Sequence, residues 1–161
     1  MRRPPPAISA LLTFLVLAAC SEPETPAAAI AAAGANHRHV APRGGTPVVL
    51  GREACHLEFV LDPVAGKLSV YVLDGKMGKI IRVKAATFEF AGGLDGGGRL
   101  LPLHAVPNAA TGETVGDTSQ FEAQAHWLKT AATFDARLTG LEIRGPNYTA
   151  GLNYPRGHDR G

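Results

Sequence analysis

The histidines of this 161-residue chain have the clearest spacing for metal ligands. His37 and His39 flank one arginine, and His-x-His is a common arrangement for two ligands of one ion. Neutral imidazoles suit Cu(II), Zn(II) and Ni(II). His56 and Glu58 are both expected on the outward face of one strand and could complete such a site. We therefore name His37, His39 and His56 as candidate ligands of copper or zinc, the alternative being ordinary solvated side chains on a tether and a sheet face.

The sequence does not show the residue patterns of common catalytic sites. Cys55 stands next to His56 on a predicted strand, and neighbouring strand residues project to opposite faces, so the two cannot form a catalytic dyad. A cysteine in this pattern is more typical of a buried core position. The glycine-rich residues 92–98 lack the Lys-Ser/Thr pair of a phosphate-binding loop. The sequence therefore predicts a protein that is not an enzyme.

The amino terminus carries a targeting pattern. Arg2 and Arg3 precede an apolar run at residues 7–19, which is too short for the roughly 20 residues of a membrane-spanning helix. The run closes on Leu17, two alanines and Cys20, which resembles the lipobox of bacterial lipoproteins. The resemblance implies cleavage of residues 1–19, lipid attachment at Cys20 and an anchor in the bacterial cell envelope. Because Ser21 replaces the aspartate that commonly retains lipoproteins in the inner membrane, we expect the outer membrane, facing the periplasm.

The charge balance and the number of cysteines exclude further kinds of function and of cross-link. Without Arg2 and Arg3, fourteen basic residues balance fourteen acidic ones, so the mature chain has no concentrated basic face for a nucleic acid. Lipidation of Cys20 would leave Cys55 without an intrachain disulfide partner. Residues 20–45 are rich in alanine and proline after the cysteine and read as a flexible tether.

Alternating polarity predicts one all-β domain at residues 46–155, followed by a short tail at 156–161. In residues 55–61 the odd positions are apolar, which places His56 and Glu58 towards water. A second strand at 68–73 completes a hairpin, and Trp127 is expected inside with His126 outside. Further strands are predicted at residues 80–83, 87–90, 100–106, 120–127, 133–144 and 148–154. Short strands with regular turns favour a single antiparallel β-sandwich of immunoglobulin-like architecture over a barrel or an α/β fold.

Part of this region resembles small uncharacterised envelope proteins found near heavy-metal efflux adaptors. The resemblance covers residues 42–74 and lies in Arg43-Gly44-Gly45, Val48-Val49-Leu50-Gly51, His56-Leu57-Glu58 and Tyr71-Val72-Leu73-Asp74-Gly75. It implies an envelope β-sandwich associated with metal handling, in which His56 matches a possible ligand. Arg43 and Cys55 depart from that pattern, which often has histidine and tyrosine in their places.

Three classes of function follow from these features. The first is a non-catalytic binding or structural module that contacts another envelope protein, and it requires no special residue pattern. The alternative is a periplasmic copper- or zinc-binding accessory, and the second alternative is a hydrolase whose site the sequence does not reveal.

Overall fold

Residues 40–94 and 98–158 are described in the computed structural model of the chain, and they form an all-β unit. Its nine strands and one short 3-10 helix, at His126–Lys129 between β6 and β7, follow one another along the chain. The strands are β1 Thr46–Leu50, β2 Cys55–Asp62, β3 Lys67–Asp74, β4 Thr87–Gly93, β5 Arg99–Ala105, β6 Gln120–Gln124, β7 Phe134–Glu142, β8 Asn147–Tyr154 and β9 Gly157–His158. No helix in the described ranges has the length and apolar character needed to cross a membrane.

The strands join in a single antiparallel sheet with the order β1-β2-β3-β6-β5-β4-β7-β8-β9. The sheet curls until β1 contacts β8 and β9 on its far side. There the Thr46 hydroxyl donates a hydrogen bond to the Pro155 carbonyl oxygen over 3.2 Å. The all-β antiparallel prediction is confirmed, whereas the two-sheet sandwich is not, because one continuous sheet wraps into a nearly closed barrel.

Aromatic side chains fill the inside of this barrel. Phe59 and Phe90 meet edge to face with ring centroids 5.0 Å apart, and Phe88 meets Phe121 at 4.7 Å. All four side chains are buried, together with aliphatic residues from neighbouring strands. Burial of each large apolar side chain contributes roughly 1.5 to 3 kcal/mol. The core therefore lies where the inward positions of the alternating pattern predict it.

Two predicted strands differ from the observed structure. Residues 80–83 form only isolated bridges, from Ile80 to Leu73 and from Val83 to Thr118. The strand predicted at 120–127 ends at Gln124, and the following 3-10 helix puts Leu128 in the buried position. Trp127 is therefore half-buried at the barrel end, where its ring meets Phe134 at 5.3 Å. The sequence pattern missed this break because apolar alternation continues through the turn.

The barrel has two distinct ends, named here for later use. At the proximal end, Thr46 begins β1 and Tyr154 ends β8. At the distal end, Leu50 ends β1, Glu142 ends β7 and Asn147 begins β8. All neighbouring strands pair in antiparallel ladders, so successive strands in the sheet run in opposite directions between the two ends, and the two-residue β9 lies at the proximal end.

Candidate functional site: a groove between β4 and β7

Strands β4 and β7 separate towards the distal end of the barrel. Their ladder pairs residues 90–93 with residues 135–138 and does not extend further. Beyond it, the Thr139 hydroxyl donates a hydrogen bond to the Glu89 carbonyl oxygen over 3.4 Å. The pairing of β7 with β8 shifts between Leu138 and Leu141, which marks a β-bulge. A bulge bends its strand and raises the local twist, so it accounts for the departure of β7 from β4.

The separation opens a groove along the barrel wall. Its inner part has a volume of about 400 Å³ and its outer part, nearer the distal end, about 520 Å³. Both parts are lined by Ala85 and Glu142, so they lie next to each other. One wall comes from residues 82–89 and the other from residues 139–145. Ligand sites typically have volumes of roughly 300 to 1,000 Å³.

Main-chain groups of the first wall point into this groove. Val83 exchanges both of its main-chain hydrogen bonds with Thr118, at 2.8 and 3.2 Å. Antiparallel pairing directs alternate residues to opposite edges, so Arg82 and Lys84 face away from Thr118, but residues 84–86 lie outside the strands, with a bend at 86, and the edge is interrupted there. Further along, the Ala105 amide donates to the Ala86 carbonyl. The same alternation turns the main-chain groups of residue 87 towards β7.

The second wall presents main-chain groups in the same way. The Ile143 amide donates to the Pro146 carbonyl oxygen over 2.9 Å, within the turn that joins β7 to β8. This hydrogen bond directs the main-chain amide of Ile143 towards β8. The main-chain groups of the preceding residue, Glu142, therefore point to the opposite edge of β7, which faces the groove. Two strand edges therefore face each other across the groove without a ladder between them.

The outer part of the groove is positively charged. Arg82, Lys84 and Arg144 line it, with Glu142 as the opposing carboxylate, and all four side chains are exposed. Arg82 also pairs with Asp117 at 3.0 Å. The Arg82 guanidinium also donates a hydrogen bond to the Thr111 carbonyl oxygen, so it already has two partners within the protein. Glu89 adds a second carboxylate to the inner part, so three cationic and two anionic side chains line the groove as a whole.

Cys55 lies buried near this distal end. Burial raises the pKa of its thiol, and the opposing effects of a hydrogen bond with Tyr148 and of the Arg144 charge are smaller. A nucleophilic cysteine needs a lowered pKa and access to its substrate. The predicted core position of Cys55 is confirmed, and its environment is that of an inert structural thiol.

The expected exposure of His56 and Glu58 is wrong. Both are fully buried, although they lie on the outer face of β2. Glu58 accepts hydrogen bonds from the Arg43 amide at 2.7 Å and the Gly45 amide at 3.1 Å. The Arg43 guanidinium lies 3.3 Å from the second Glu58 oxygen and 3.8 Å from the centre of the Tyr71 ring. Residues 43–45 thus fold over the outside of β2, which a strand-alternation pattern cannot indicate.

This burial bears directly on the metal-site hypothesis. The His56 Nδ1 lies 3.3 Å from the Asp74 carbonyl oxygen, inside the protein. Its role as a metal ligand stays a prediction, one that requires the fully buried ring to become accessible to an ion. His37, His39 and Cys20 lie outside the described residues. Within residues 40–94 and 98–158, no three His, Cys, Asp or Glu side chains are grouped to hold an ion.

Sequence reasoning did not find the groove. Its only sequence signals are Gly140 within a strand pattern, which often marks a bulge, and basic residues that are far apart along the chain. Comparisons of the chain with family models, curated proteins and solved structures gave no match.

Proposed function

We propose that this protein is a non-catalytic binding module of the bacterial cell envelope, anchored by lipid at Cys20, whose groove between β4 and β7 contacts another envelope protein. The groove is the observation that carries this proposal. It combines an open volume, two strand edges with no ladder between them and three cationic side chains.

The position of the groove supports an anchored binding role. The tether precedes Thr46 and therefore joins the barrel at its proximal end. The outer, charged part of the groove opens at the distal end, beside Glu142 and Gly145. A strand of eight residues spans roughly 26 Å at its usual rise per residue, so the start of β1 and the outer part of the groove lie towards opposite ends of the barrel.

Metabolic labelling with a radioactive fatty acid tests the anchor. We expect label and membrane association in the wild-type protein and neither in the Cys20→Ala variant. Cys55→Ser is the matched control, since Cys55 is buried in the barrel and should not affect labelling. Label that persists in Cys20→Ala, or is absent from the wild type, would contradict lipid attachment at this residue.

Photo-crosslinking in intact cells tests the binding surface. A benzophenone amino acid placed at position 84 lies in the groove, whereas one at position 137 lies on the outer face of β7, where β4 and β7 remain paired. We expect a discrete crosslinked protein from position 84 that is absent from position 137 and is lost on Arg144→Glu. Equal crosslinking from both positions, or none from position 84, would reject the groove as a binding surface.

A further inference from the structure

We infer that the proximal end of the barrel rests on a phospholipid bilayer, with Val64, Leu94 and Trp127 in the headgroup region. This inference rests on the proposed function, because it takes the lipid at Cys20 as the anchor that brings the barrel to the bilayer. It adds the face of the protein that the membrane contacts. Apolar side chains together with a half-buried tryptophan are typical of protein surfaces that lie at a membrane–water interface.

Two turns at the proximal end carry large apolar side chains that the barrel does not bury. Val64 lies in the turn that joins β2 to β3 and has 88% of its surface exposed. Leu94 directly follows β4 and is 43% exposed, and Leu100, near the start of β5, is 59% exposed. Both turns are proximal, because β2 ends where β1 begins and β4 ends beside the start of β7. Single exposed apolar residues are common, but several at one end of a molecule indicate a contact surface.

The 3-10 helix at His126–Lys129 lies between these two turns. The Ala125 amide donates a hydrogen bond to the Gly66 carbonyl oxygen over 3.0 Å, so the β2–β3 turn lies against the start of the helix. Trp127 lines a small apolar cavity together with Gly92 of β4, so the helix also reaches the β4–β5 hairpin. The two turns and the helix are therefore neighbours at this end of the barrel.

The path of the chain supports a contact between this surface and the bilayer. Arg43 contacts Glu58 of β2 and the Tyr71 ring of β3, the two strands that the first turn joins. Val40 follows Cys20 by twenty positions, and a flexible linker of that length has a mean reach of roughly 25 Å. Such a linker keeps the barrel at a high effective concentration near the bilayer, so contacts of a few side chains are enough to hold it there.

Charge does not select the bilayer as the partner of this surface. Among the described residues, exposed side chains of both signs share the proximal end: Arg99, Lys129 and Arg156 against Asp62 and Asp135. Apolar contact, rather than attraction to anionic lipid, therefore holds this end on the bilayer. Because salt screens exposed charges and leaves apolar contacts in place, the contact should persist at high salt.

Trp127 reports the contact directly, because it is the only tryptophan of the chain. The membrane-anchored protein is reconstituted into vesicles of phosphatidylethanolamine and phosphatidylglycerol, with or without brominated acyl chains, which quench tryptophan at close range. We expect bromination to lower the Trp127 fluorescence about twofold, at low and at high salt. Equal fluorescence in the two kinds of vesicle would overturn the inference. Quenching that disappears at high salt would also overturn it, because charge would then hold the barrel at the surface.

Matched valine variants locate the contact. Val64→Asp places a carboxylate in the proximal surface, where contact with lipid would remove it from water at a cost. Val115→Asp makes the same change in the loop between β5 and β6 at the distal end, where Val115 is 60% exposed. We expect Val64→Asp to remove most of the quenching and Val115→Asp to leave it unchanged, with thermal unfolding as the check that both barrels are intact. Unchanged quenching in Val64→Asp, or an equal loss in both variants, would overturn the inference.

Fatty-acid labelling separates this inference from the proposed function. Label without quenching would leave the anchor in place and overturn only the contact. If the wild type carries no label, the anchor fails, and a maleimide phospholipid coupled to the Cys20 thiol supplies it instead, since Cys55 is buried. Quenching in the coupled protein would then support the contact without lipidation in the cell, and its absence would overturn the contact as well.

Discussion

Replacing Glu58 by glutamine removes a buried charge while preserving the side-chain shape. The Glu58 carboxylate is fully buried under residues 43–45 and accepts two main-chain hydrogen bonds, from Arg43 and Gly45. Its second oxygen meets the Arg43 guanidinium at 3.3 Å. The glutamine side chain keeps one oxygen that can accept the bonds from the two main-chain amides. Its NH₂ group would then face the Arg43 guanidinium, so two hydrogen-bond donors would meet.

The structure allows a magnitude to be worked out. Hydrogen bonds to a charged group contribute about 1.5 to 3 kcal/mol, against about 0.5 to 1.5 kcal/mol for neutral pairs. Two bonds that each lose about 1 kcal/mol of charge assistance give about 2 kcal/mol. The lost contact with Arg43 adds less than about 1 kcal/mol, because that guanidinium is partly solvated. Easier burial of a neutral amide offsets a similar amount. We expect the free energy of unfolding to fall by about 2 kcal/mol.

Equilibrium denaturation by urea measures this loss, with Arg43→Met as the matched control. Arg43→Met keeps both main-chain bonds to Glu58 and should therefore cost less than Glu58→Gln. In a double-mutant cycle, Arg43→Met should cost less once glutamine occupies position 58, because only the contact of Arg43 with the Tyr71 ring is then lost. A loss below about 0.5 kcal/mol for Glu58→Gln would refute the view that this carboxylate fixes residues 43–45 to β2.

Three further outcomes are expected. Burial raises the pKa of the Glu113 carboxyl, but hydrogen bonds from Ser119 and Thr111 outweigh it and hold the pKa below its usual value. Stability from this group is present above its unfolded pKa and is lost as the pH falls through its folded pKa, so Glu113→Gln should flatten the acid side of a stability profile measured by urea titration. The Cys55 thiol should react with a chromogenic disulfide reagent only after unfolding, because it is buried and its pKa is raised. Gly75→Ala should lower the urea midpoint, since a Cβ would strike the Glu53 carbonyl, whereas the control Gly78→Ala meets open space and should not.

Local sequence patterns predicted the strands better than their assembly. The alternation in β2 correctly places Leu57 and Phe59 inside, because the pleat allows only one face to point inwards. It cannot indicate that β6 lies between β3 and β5, a pairing between segments far apart in the chain. This insertion lets one sheet curl round on itself. A sandwich and a curled barrel therefore have the same strand pattern in this sequence.

The candidate site was predictable only in part. Alternation gave His56 and Glu58 the correct face of β2 but the wrong environment, because both are buried. For Glu58 this burial depends on how Arg43 and Gly45 fold back over the strand. The groove depends on a bulge in β7 and on the absence of ladder pairs beyond Phe90. Both are properties of register, which polarity patterns do not contain.

The hydrogen bond between Thr46 and Pro155 has a consequence for how the chain could be cut and rejoined. It holds the start of β1 beside the end of β8, so the two ends of the barrel's sequence meet in space. A short linker could join them, and new termini could open in the exposed turn at residues 107–112. Such circular permutation succeeds at surface loops whose loss breaks few contacts. The strands form a nearly closed ring, so the chain could begin at a different strand. The groove between β4 and β7 would be kept in such a permuted protein.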